Sequence, residues 1–399
     1  MKRLFVLFLA AILAFSLFGC KKASSKTANN NAKKKNSQSA VAGGVSGGGG
    51  GAATSSAHSG EVRSFLSGEW VSKDIGSKRP AAVMITNQPE AAQPSGLSYA
   101  KIVYEAPAEG NYSTRLMGLF ENYEGIPKIG SVRSCRNAYV YFALEHDAIY
   151  VHAGQSMPAL ELVSSDFVDN ISTMDKGFNE VFFQTSDLAA PHNTFTSGAG
   201  ILAGANSRGY SLDHSTEYKG PFKFNENDNE KITLTEGVAA NYVYPGYSIC
   251  NPYFVYNKDD GKYYRFQYKK GQLQQHMDLE TNQQLNVDNI IFQYCDFSKY
   301  LWEGEETLYW DIGLKGSGKG TYITGGKAVD ITWKKTSEFG TTHYYDAKGK
   351  ELTINRGKTW VCLINNDNAG AAIISANDEA ANNQPSDNSA GNSGGETEY

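Results

Sequence analysis

Three arginines lie within a short stretch of the sequence and have the chemistry to hold an anion. Arg133 and Arg136 precede or open a predicted helix, and Arg115 lies in the segment before it. The N-terminus of a helix already attracts negative charge, so a cation at an exposed end costs about 0.3–1 kcal/mol. Guanidinium groups bind carboxylates and phosphates through two parallel hydrogen bonds. We therefore expect something negative to face these arginines, either an internal carboxylate or a bound anion.

Two upstream glutamates could supply the internal carboxylate. Glu105 and Glu109 fall at the end of a predicted strand, where functional groups are often placed on a rigid scaffold. In a ligand site they would lie behind the arginines and support them. Two neighbouring carboxylates could instead act as general acid and base on a glycosidic bond. The nearby arginines would pair with the glutamates, which favours an ion-pair network or a binding site over catalysis.

Two residues further along the chain indicate a pocket beside the arginines. His152 stands close to Gly154 at the end of a predicted strand, and Tyr150 lies two residues before it. We expect Tyr150 and His152 to form the wall of the ligand pocket. The remaining histidines lack a compact spacing such as His-x-x-x-His, so the sequence predicts no metal site.

Ser156 is the candidate nucleophile of an alternative, catalytic interpretation. The order strand, Gly154-Gln155-Ser156, helix imitates the nucleophile elbow of hydrolases, but Pro158 replaces the second glycine. A serine at the N-cap, with proline in the first turn, explains the same residues without catalysis. The glycine-rich stretch GLKGSGK at residues 313–319 lacks the Ser or Thr of a phosphate-binding loop. No cofactor is predicted.

One helix and several strands must position the arginines. Apolar residues recur at helical spacing between residues 139 and 146, and Ser131 or Ser134 is the expected N-cap. A β-rich run at residues 148–151 follows directly. Further strands are predicted at residues 81–86, 102–105 and 114–121, and further helices at residues 157–164 and 200–206.

The second half of the chain has a different pattern. From residue 241, short runs carrying Tyr and Val alternate with glycine turns, which is typical of β-rich domains. Strands are predicted at residues 263–268, 290–294, 307–312, 321–324, 328–334 and 359–363. The expected fold class is α+β, with a mixed α/β N-terminal portion over residues 61–240 and a β-rich C-terminal portion over residues 241–365.

The start of the chain has the features of an export signal. Met1-Lys2-Arg3 precedes an apolar run that ends Leu17-Phe18-Gly19-Cys20, similar to the lipobox of bacterial lipoproteins. Residues 1–20 are the expected lipoprotein signal peptide, and Cys20 is the expected site of lipidation, palmitate included. The composition of residues 21–60 predicts a disordered tether, and that of residues 366–399 a disordered tail.

Charge and cysteine spacing narrow the function classes further. A net charge of −5 provides no basic footprint for nucleic acid. The other four cysteines show no CxxC spacing, so no redox or metal motif is indicated. They are expected to be buried free thiols, although export allows disulfides. These cysteines are Cys135, Cys250, Cys295 and Cys362.

A series of motifs resembles the YerB-like lipoprotein family. The motifs include Arg79-Pro80, Val103-Tyr104-Glu105, Thr114-Arg115, IGSVRS at 129–134, VHAG at 151–154, GSGKG at 316–320, WKK at 333–335 and GKTWV at 357–361. They occur in the family's order between about residues 70 and 365. The resemblance implies an α/β part followed by a β-rich part on the outer face of a bacterial membrane. It assigns no activity, and it marks the arginines and His152 as a suspected binding site.

The sequence therefore predicts a membrane-anchored lipoprotein of the extracytoplasmic face that binds an anionic cell-envelope ligand or a wall-associated protein. Its partners would be the membrane, through the lipid at Cys20, and a cell-wall polymer or envelope protein. The alternative is a hydrolase of wall polymer that uses Glu105, Glu109 or Ser156. A third interpretation is a scaffold whose Tyr-rich C-terminal portion docks a wall-synthesis partner.

Overall fold

The structure is a computed structural model that describes residues 58–110 and 113–377. The predicted signal peptide with Cys20, residues 21–57 of the predicted tether and residues 378–399 of the predicted tail lie outside the described residues. Within the described ranges, no helix is both long enough and apolar enough to span a bilayer.

Short strands dominate the N-terminal portion, with five α-helices between them in the described chain. Its strands are Glu61–Arg63 (β1), Trp70–Ser72 (β2), Ala81–Thr86 (β3), Ile102–Glu109 (β4), Ser113–Phe120 (β5), Ile129–Gly130 (β6), Ile149–His152 (β7), Asn170–Ser172 (β8), Phe182–Gln184 (β9), Thr194–Thr196 (β10), Lys223–Phe224 (β11) and Val238–Ala239 (β12). The helices are Lys73–Gly76 (α1), Asn137–Glu145 (α2), Met157–Val163 (α3), Phe178–Val181 (α4) and Gly198–Arg208 (α5).

The C-terminal portion consists almost entirely of strands. They are Tyr242–Tyr244 (β13), Tyr253–Asn257 (β14), Lys262–Lys269 (β15), Gln272–Gln275 (β16), Met277–Asp278 (β17), Gln283–Gln284 (β18), Asn286–Val287 (β19), Asn289–Cys295 (β20), Phe297–Trp302 (β21), Glu305–Ile312 (β22), Gly316–Thr324 (β23), Lys327–Lys335 (β24), His343–Tyr345 (β25), Thr353–Ile354 (β26), Thr359–Asn365 (β27) and Ile373–Ser375 (β28). Short 3-10 helices occur at Leu97–Tyr99 and Asn366–Ala371.

A mixed sheet of 13 strands runs through the middle of the described chain. Its main path is β12-β24-β23-β20-β27-β4-β5-β3-β7-β8, with β21, β22 and β25 joined beside it. The sequence of β3, AAVMIT, is buried along its whole length, as suits an apolar strand covered on both faces. β3 pairs antiparallel with β5, where Met84 lies opposite Met117, and parallel with β7, where Val83 lies opposite Val151.

Each face of this sheet packs against its own hydrophobic core. On one face, Met84 belongs to a cluster with Phe142 of α2. On the other face, Val83 belongs to a cluster with Ile201 of α5 and Phe254 of the six-stranded sheet β16-β15-β14-β13-β28, to which β19 is joined. Successive strand residues point to opposite faces, so a single strand such as β3 contributes to both cores.

One sheet contains strands from both portions of the chain. β27 of the C-terminal portion lies between β20 and β4, parallel to both, with Val361 opposite Tyr104 of β4. Lys335 of β24 and Glu145 of α2 form a buried ion pair that also connects the two portions. The carboxylate of Glu145 accepts a further hydrogen bond from the hydroxyl group of Thr342. Strands of the C-terminal portion therefore extend the sheet of the N-terminal portion. The domain boundary that we expect at residue 240 stays a prediction.

The α+β fold class and the order of the predicted elements are confirmed. The N-cap prediction is wrong, because Arg136 and not Ser131 or Ser134 occupies the N-cap of α2. The tail prediction is wrong for its first residues, because Asn366–Ala371 is a 3-10 helix and Ile373–Ser375 pairs with β13. The four cysteines of the described chain are buried, as predicted, and no disulfide joins any two of them.

Candidate functional site

Several predicted site residues gather at one edge of the central sheet. β3, β4 and β7 direct their carboxyl ends to this edge, and the antiparallel β5 begins there. Arg115 in β5 lies opposite Thr86 at the end of β3 and opposite Ala106 in β4. In open sheets flanked by helices, ligands bind outside the carboxyl ends of the strands. The fold therefore places Arg115 where a binding site is common.

The segment that precedes α2 runs between β3 and β7, the two parallel strands that separate at this edge. The backbone N–H of Arg133 donates to the carbonyl of Met84 in β3, and its carbonyl accepts from the N–H of Ala153 after β7, both at 3.0 Å. These bonds hold the segment extended as far as Arg136, the N-cap of α2. An extended segment fixed on both sides explains why neither predicted serine reaches the N-cap position.

Two arginines and one glutamate form the centre of the site, which we call the arginine clamp: Arg115, Arg136 and Glu109. Nη2 of Arg115 lies 3.1 Å from Oε1 of Glu109, and Arg136 contacts the same carboxylate oxygen. All three residues are at least nine-tenths buried. The expectation of an internal carboxylate is confirmed for Glu109. Two guanidinium groups from different segments thus hold one carboxylate.

Neighbouring groups fix the orientation of both guanidinium groups. Each donates from Nη1 to a backbone carbonyl of residues 134–135 at 2.8 Å. The ring centre of Tyr309 lies 5.2 Å from the guanidinium carbon of Arg136, within the range of a cation–π interaction. Tyr309 comes from β22, which pairs with β4 directly opposite Glu109. The C-terminal portion therefore helps to build the clamp, which the sequence did not indicate.

Arg133 lies three residues before Arg136 on the same segment. Its side chain is buried, and Nη1 donates to the carbonyl of Pro191 at 3.3 Å. Pro191 belongs to the loop between β9 and β10. Three segments that are distant in sequence therefore meet at the same sheet edge. They lie around residue 115, at residues 133–136 and around residue 191.

Two serines on the segments that flank the arginines have buried hydroxyl groups. Ser131 is 4% exposed and Ser156 is 2% exposed. Within residues 58–110 and 113–377, neither hydroxyl oxygen has a hydrogen-bond partner, and the same holds for the amide oxygen Oδ1 of Asn87 after β3. Buried polar atoms in folded proteins are nearly always hydrogen-bonded. Three buried oxygens without a partner in the described ranges therefore lie at one sheet edge.

Glu105 does not join the clamp, and this part of the prediction is wrong. Both of its carboxylate oxygens accept from Nη2 of Arg265 at 2.8 Å, and Trp360 donates to Oε2 at 2.9 Å. The carboxylate is fully buried. Alternating burial along β15 places Arg265 on the same inner face as Tyr263. Arg265 occupies a position where the alternation of buried and partly exposed residues along β15 predicts a buried side chain. This pattern could have identified Arg265 from the sequence as a buried charge.

A β-bulge in β4 explains why the two glutamates separate. Residues four apart share one face of a regular strand, but the register of β4 shifts between Pro107 and Glu109. A one-residue shift transfers the following side chains to the other face. Glu105 contacts Trp360, part of the core that includes the six-stranded sheet, whereas Glu109 contacts Arg136 at the start of α2. The two carboxylates therefore have different partners, and their use as general acid and base stays a prediction.

His152 and Tyr150 lie in the sheet core. Tyr150 is fully buried, and both ring nitrogens of His152 are engaged, Nδ1 with the carbonyl of Gly154 at 2.7 Å and Nε2 with Oδ1 of Asn170 at 3.1 Å. Burial lowers the pKa of His152, and the two oxygen acceptors oppose this shift. The contacts of His152 connect β7 to residues around β8. The role of Tyr150 and His152 in the wall of a ligand pocket stays a prediction.

Ser156 lacks the partner that a nucleophile needs. It occupies the N-cap position of α3, as the non-catalytic interpretation expects, although its hydroxyl makes no capping bond. The nearest histidine in sequence is His152, whose ring nitrogens already bind Gly154 and Asn170. A nucleophilic serine requires a general base within hydrogen-bond distance, and the described residues place none against Ser156.

Two family profiles match the chain in sequence order. The N-terminal domain of a protein of unknown function, DUF3048, matches residues 66–211, and the C-terminal domain of the same family matches residues 241–361. The chain belongs to the DUF3048 family. The arginine clamp and Arg133 lie inside the N-terminal match, and Tyr309 lies inside the C-terminal match.

Comparison with one sequence relative and one solved structure agrees with this membership. "Putative lipoprotein YerB" from Bacillus subtilis (strain 168) is 29% identical over 307 residues, which cover 76% of this chain and 86% of the relative. The crystal structure of the YerB protein from Bacillus subtilis matches with a TM-score of 0.65 at 28% identity, and the match covers 79% of this chain and 99% of that chain. The predicted resemblance to the YerB-like family is confirmed. DUF3048 is described as having unknown function, so function has to be argued from the clamp.

Proposed function

We propose that this DUF3048 protein is a membrane-anchored lipoprotein of the extracytoplasmic face that binds a carboxylate- or phosphate-bearing envelope ligand. Anchoring is supported by the predicted lipobox at Cys20 and by the lipoprotein name of the relative YerB. Binding is supported by one observation above the others: Arg115 and Arg136 converge on the carboxylate of Glu109.

The same donors suit an external anion. Guanidinium groups in fixed orientation recognise carboxylates and phosphates without first being ordered. The hydroxyl groups of Ser131 and Ser156 could add neutral donors at the same edge. Each hydrogen bond to a charged group stabilises a complex by about 1.5–3 kcal/mol. Low exposure strengthens these bonds, because little water competes with the ligand.

Calorimetric titration of the soluble chain, residues 21–399, tests this proposal. The probes are inorganic phosphate and a purified wall-polymer fraction. Arg133→Gln should weaken binding at least tenfold, because it removes a charged donor worth about 1.5–3 kcal/mol. Arg63→Gln is the matched control, since Arg63 lies in the separate two-stranded sheet of β1 and β2 and pairs with Asp228. Equal affinity of Arg133→Gln and the parent, or no binding of either probe, would contradict the proposal.

The ligand can belong to a polymer or to a protein of the wall. We favour the polymer, because the clamp recognises a single small anionic group and such groups recur along anionic polymers. Capture of a wall protein that depends on Arg133, with no binding of the polymer fraction, would assign the anionic group to that protein.

The geometry supports binding better than catalysis. Glu105 is locked by Arg265 in the core, and Glu109 is held by two arginines, so neither carboxylate is placed to transfer a proton. Incubation of the protein with purified peptidoglycan should release no fragments that chromatography detects. Release that disappears in Glu109→Gln would overturn this conclusion and restore the hydrolase alternative.

A further inference from the structure

We propose that the C-terminal segment of the chain, residues 378–399, is an internal ligand of the arginine clamp and Arg133. We call this segment the acidic tail. The inference rests on the proposed function, because it assumes that the clamp and Arg133 accept an added carboxylate. The tail would occupy the site until an anionic envelope ligand displaces it.

Charge complementarity is the first argument. Residues 378–399 contain five acidic residues and no Lys, Arg or His. The segment at the opposite end, residues 21–60, contains six lysines and no acidic residue. The two ends therefore carry opposite charge, and the tail is the end that matches the arginines. Its acidic residues are Asp378, Glu379, Asp387, Glu396 and Glu398.

The chemistry of the site is the second argument. The clamp already holds a carboxylate of the type that the tail carries, because both Arg115 and Arg136 contact Glu109. Ser131 and Ser156 place buried hydroxyl groups on the neighbouring segments, with no partner in the described part of the chain. A glutamate side chain that enters this edge would give the arginines and these hydroxyl groups a common acceptor.

Reach is the third argument. Twenty-two residues span at most about 75 Å when extended, whereas a domain of this size has a radius of gyration of roughly 20 Å. The tail follows β28, which pairs with β13. Tyr247, shortly after β13, donates to the carbonyl of Glu105 in β4 at 3.0 Å, and β4 also carries Glu109. The tail thus leaves from a layer that is packed on the strand of the clamp.

Glu396 and Glu398 are the residues that we assign to the contact. Asp378 and Glu379 follow Asn377 directly in the sequence, two and three residues after Ala376, which comes after the last residue of β28. Glu396 and Glu398 lie about twenty residues further and can reach any part of the surface. An internal ligand acts at an effective concentration in the millimolar range, so it would exclude weak monovalent anions and yield to a multivalent polymer.

Two measurements on the full soluble chain, residues 21–399, test the assignment. In the first, p-benzoylphenylalanine replaces Thr397, and the photo-crosslinked peptides are identified by mass spectrometry. We expect crosslinks to residues 131–136 and to the loop around Pro191. In the second, the affinity for inorganic phosphate is compared between the parent and a Glu396→Gln, Glu398→Gln double variant. We expect the double variant to bind at least threefold more tightly. The matched control is the Asp378→Asn, Glu379→Gln double variant, which should bind like the parent.

The outcomes separate this inference from the proposed function. Phosphate binding that requires Arg133, with unchanged affinity in the Glu396→Gln, Glu398→Gln variant and no crosslink at the site, overturns the tail assignment and keeps the anion site. Crosslinks at the site, lost in Arg133→Gln, without binding of phosphate or wall polymer, support the tail and overturn the external ligand.

Discussion

Two glutamates of one strand show how context decides the role of a side chain. Glu109 meets two arginines at the sheet edge, and Glu105 meets Arg265 and Trp360 in the core. The clamp partner Glu109 could be predicted, because it lies close in sequence to Arg115. Arg265 could not be paired with Glu105, because they are 160 positions apart and the pairing depends on which layers stack.

The buried pair of Glu105 and Arg265 leads to a prediction about stability. Glu105→Gln should lower the free energy of unfolding by about 3–5 kcal/mol, because it leaves the Arg265 charge buried without its carboxylate. Urea unfolding followed by tryptophan fluorescence measures this change. Asp213→Asn is the control: it breaks an exposed pair with Lys78 and should cost at most about 1 kcal/mol. A loss as small as that of the control would show that Glu105 is not structural.

Buried histidines should make stability depend on pH. Burial lowers the pKa of His146 to about 3, and it also lowers the pKa values of His152 and His276. The unfolded value is about 6.5, so each histidine gains its proton on unfolding. Their contribution is complete above pH ~6.5 and is lost as the pH falls, by up to about 1.4 kcal/mol per histidine per pH unit.

Urea unfolding between pH 7.5 and 5.5 measures that dependence. His146→Gln should reduce the slope of the unfolding free energy against pH by close to one proton. A free energy of unfolding that stays constant or rises as the pH falls through this range would contradict the argument.

At the scale of elements, local patterns predicted most of the fold. β3, α2 and β7 appear where apolar runs and helical spacing indicate them. The bulge in β4 and the N-cap at Arg136 could not be predicted, because both depend on hydrogen bonds to segments that are distant in sequence. The contact of Tyr309 with Arg136 has the same cause, since it requires the hairpin of β21 and β22 to lie beside β4.

The start of α5 depends on close backbone packing. A Cβ added at Gly198 would lie 1.6 Å from the carbonyl oxygen of Tyr123. Gly198→Ala should therefore lower the free energy of unfolding by about 1–3 kcal/mol or more, as overpacking does. Gly125→Ala is the matched control in the adjacent loop, because a Cβ there meets nothing within 4 Å. Thermal unfolding of both variants tests this, and equal melting temperatures would disprove the packing argument.

At the scale of the whole molecule, the described chain shares one sheet between its two family domains. β27 is inserted between β20 and β4, and Lys335 joins β24 to α2 through Glu145. The change of sequence pattern near residue 240 is the basis of the boundary that we expect there. It could not predict this insertion, because the pairing of β27 with β4 is parallel and joins residues more than 250 positions apart.

This shared sheet should make unfolding a single cooperative transition. Calorimetry of the soluble chain, residues 21–399, should give equal calorimetric and van't Hoff enthalpies. Neither portion can bury its central strands without the other, so unfolding of one exposes the core of the other. Two resolved transitions, with near-ultraviolet signals lost separately, would contradict the prediction.

The arginine clamp and Arg133 should hold an anion in addition to Glu109. The most direct test is a crystal structure of the soluble chain grown with inorganic phosphate. We expect an anion, either phosphate or a carboxylate of the acidic tail, bound by two or more of Arg115, Arg133 and Arg136. A structure in which Glu109 and backbone carbonyls alone satisfy these guanidinium groups would contradict it and make the clamp part of the architecture.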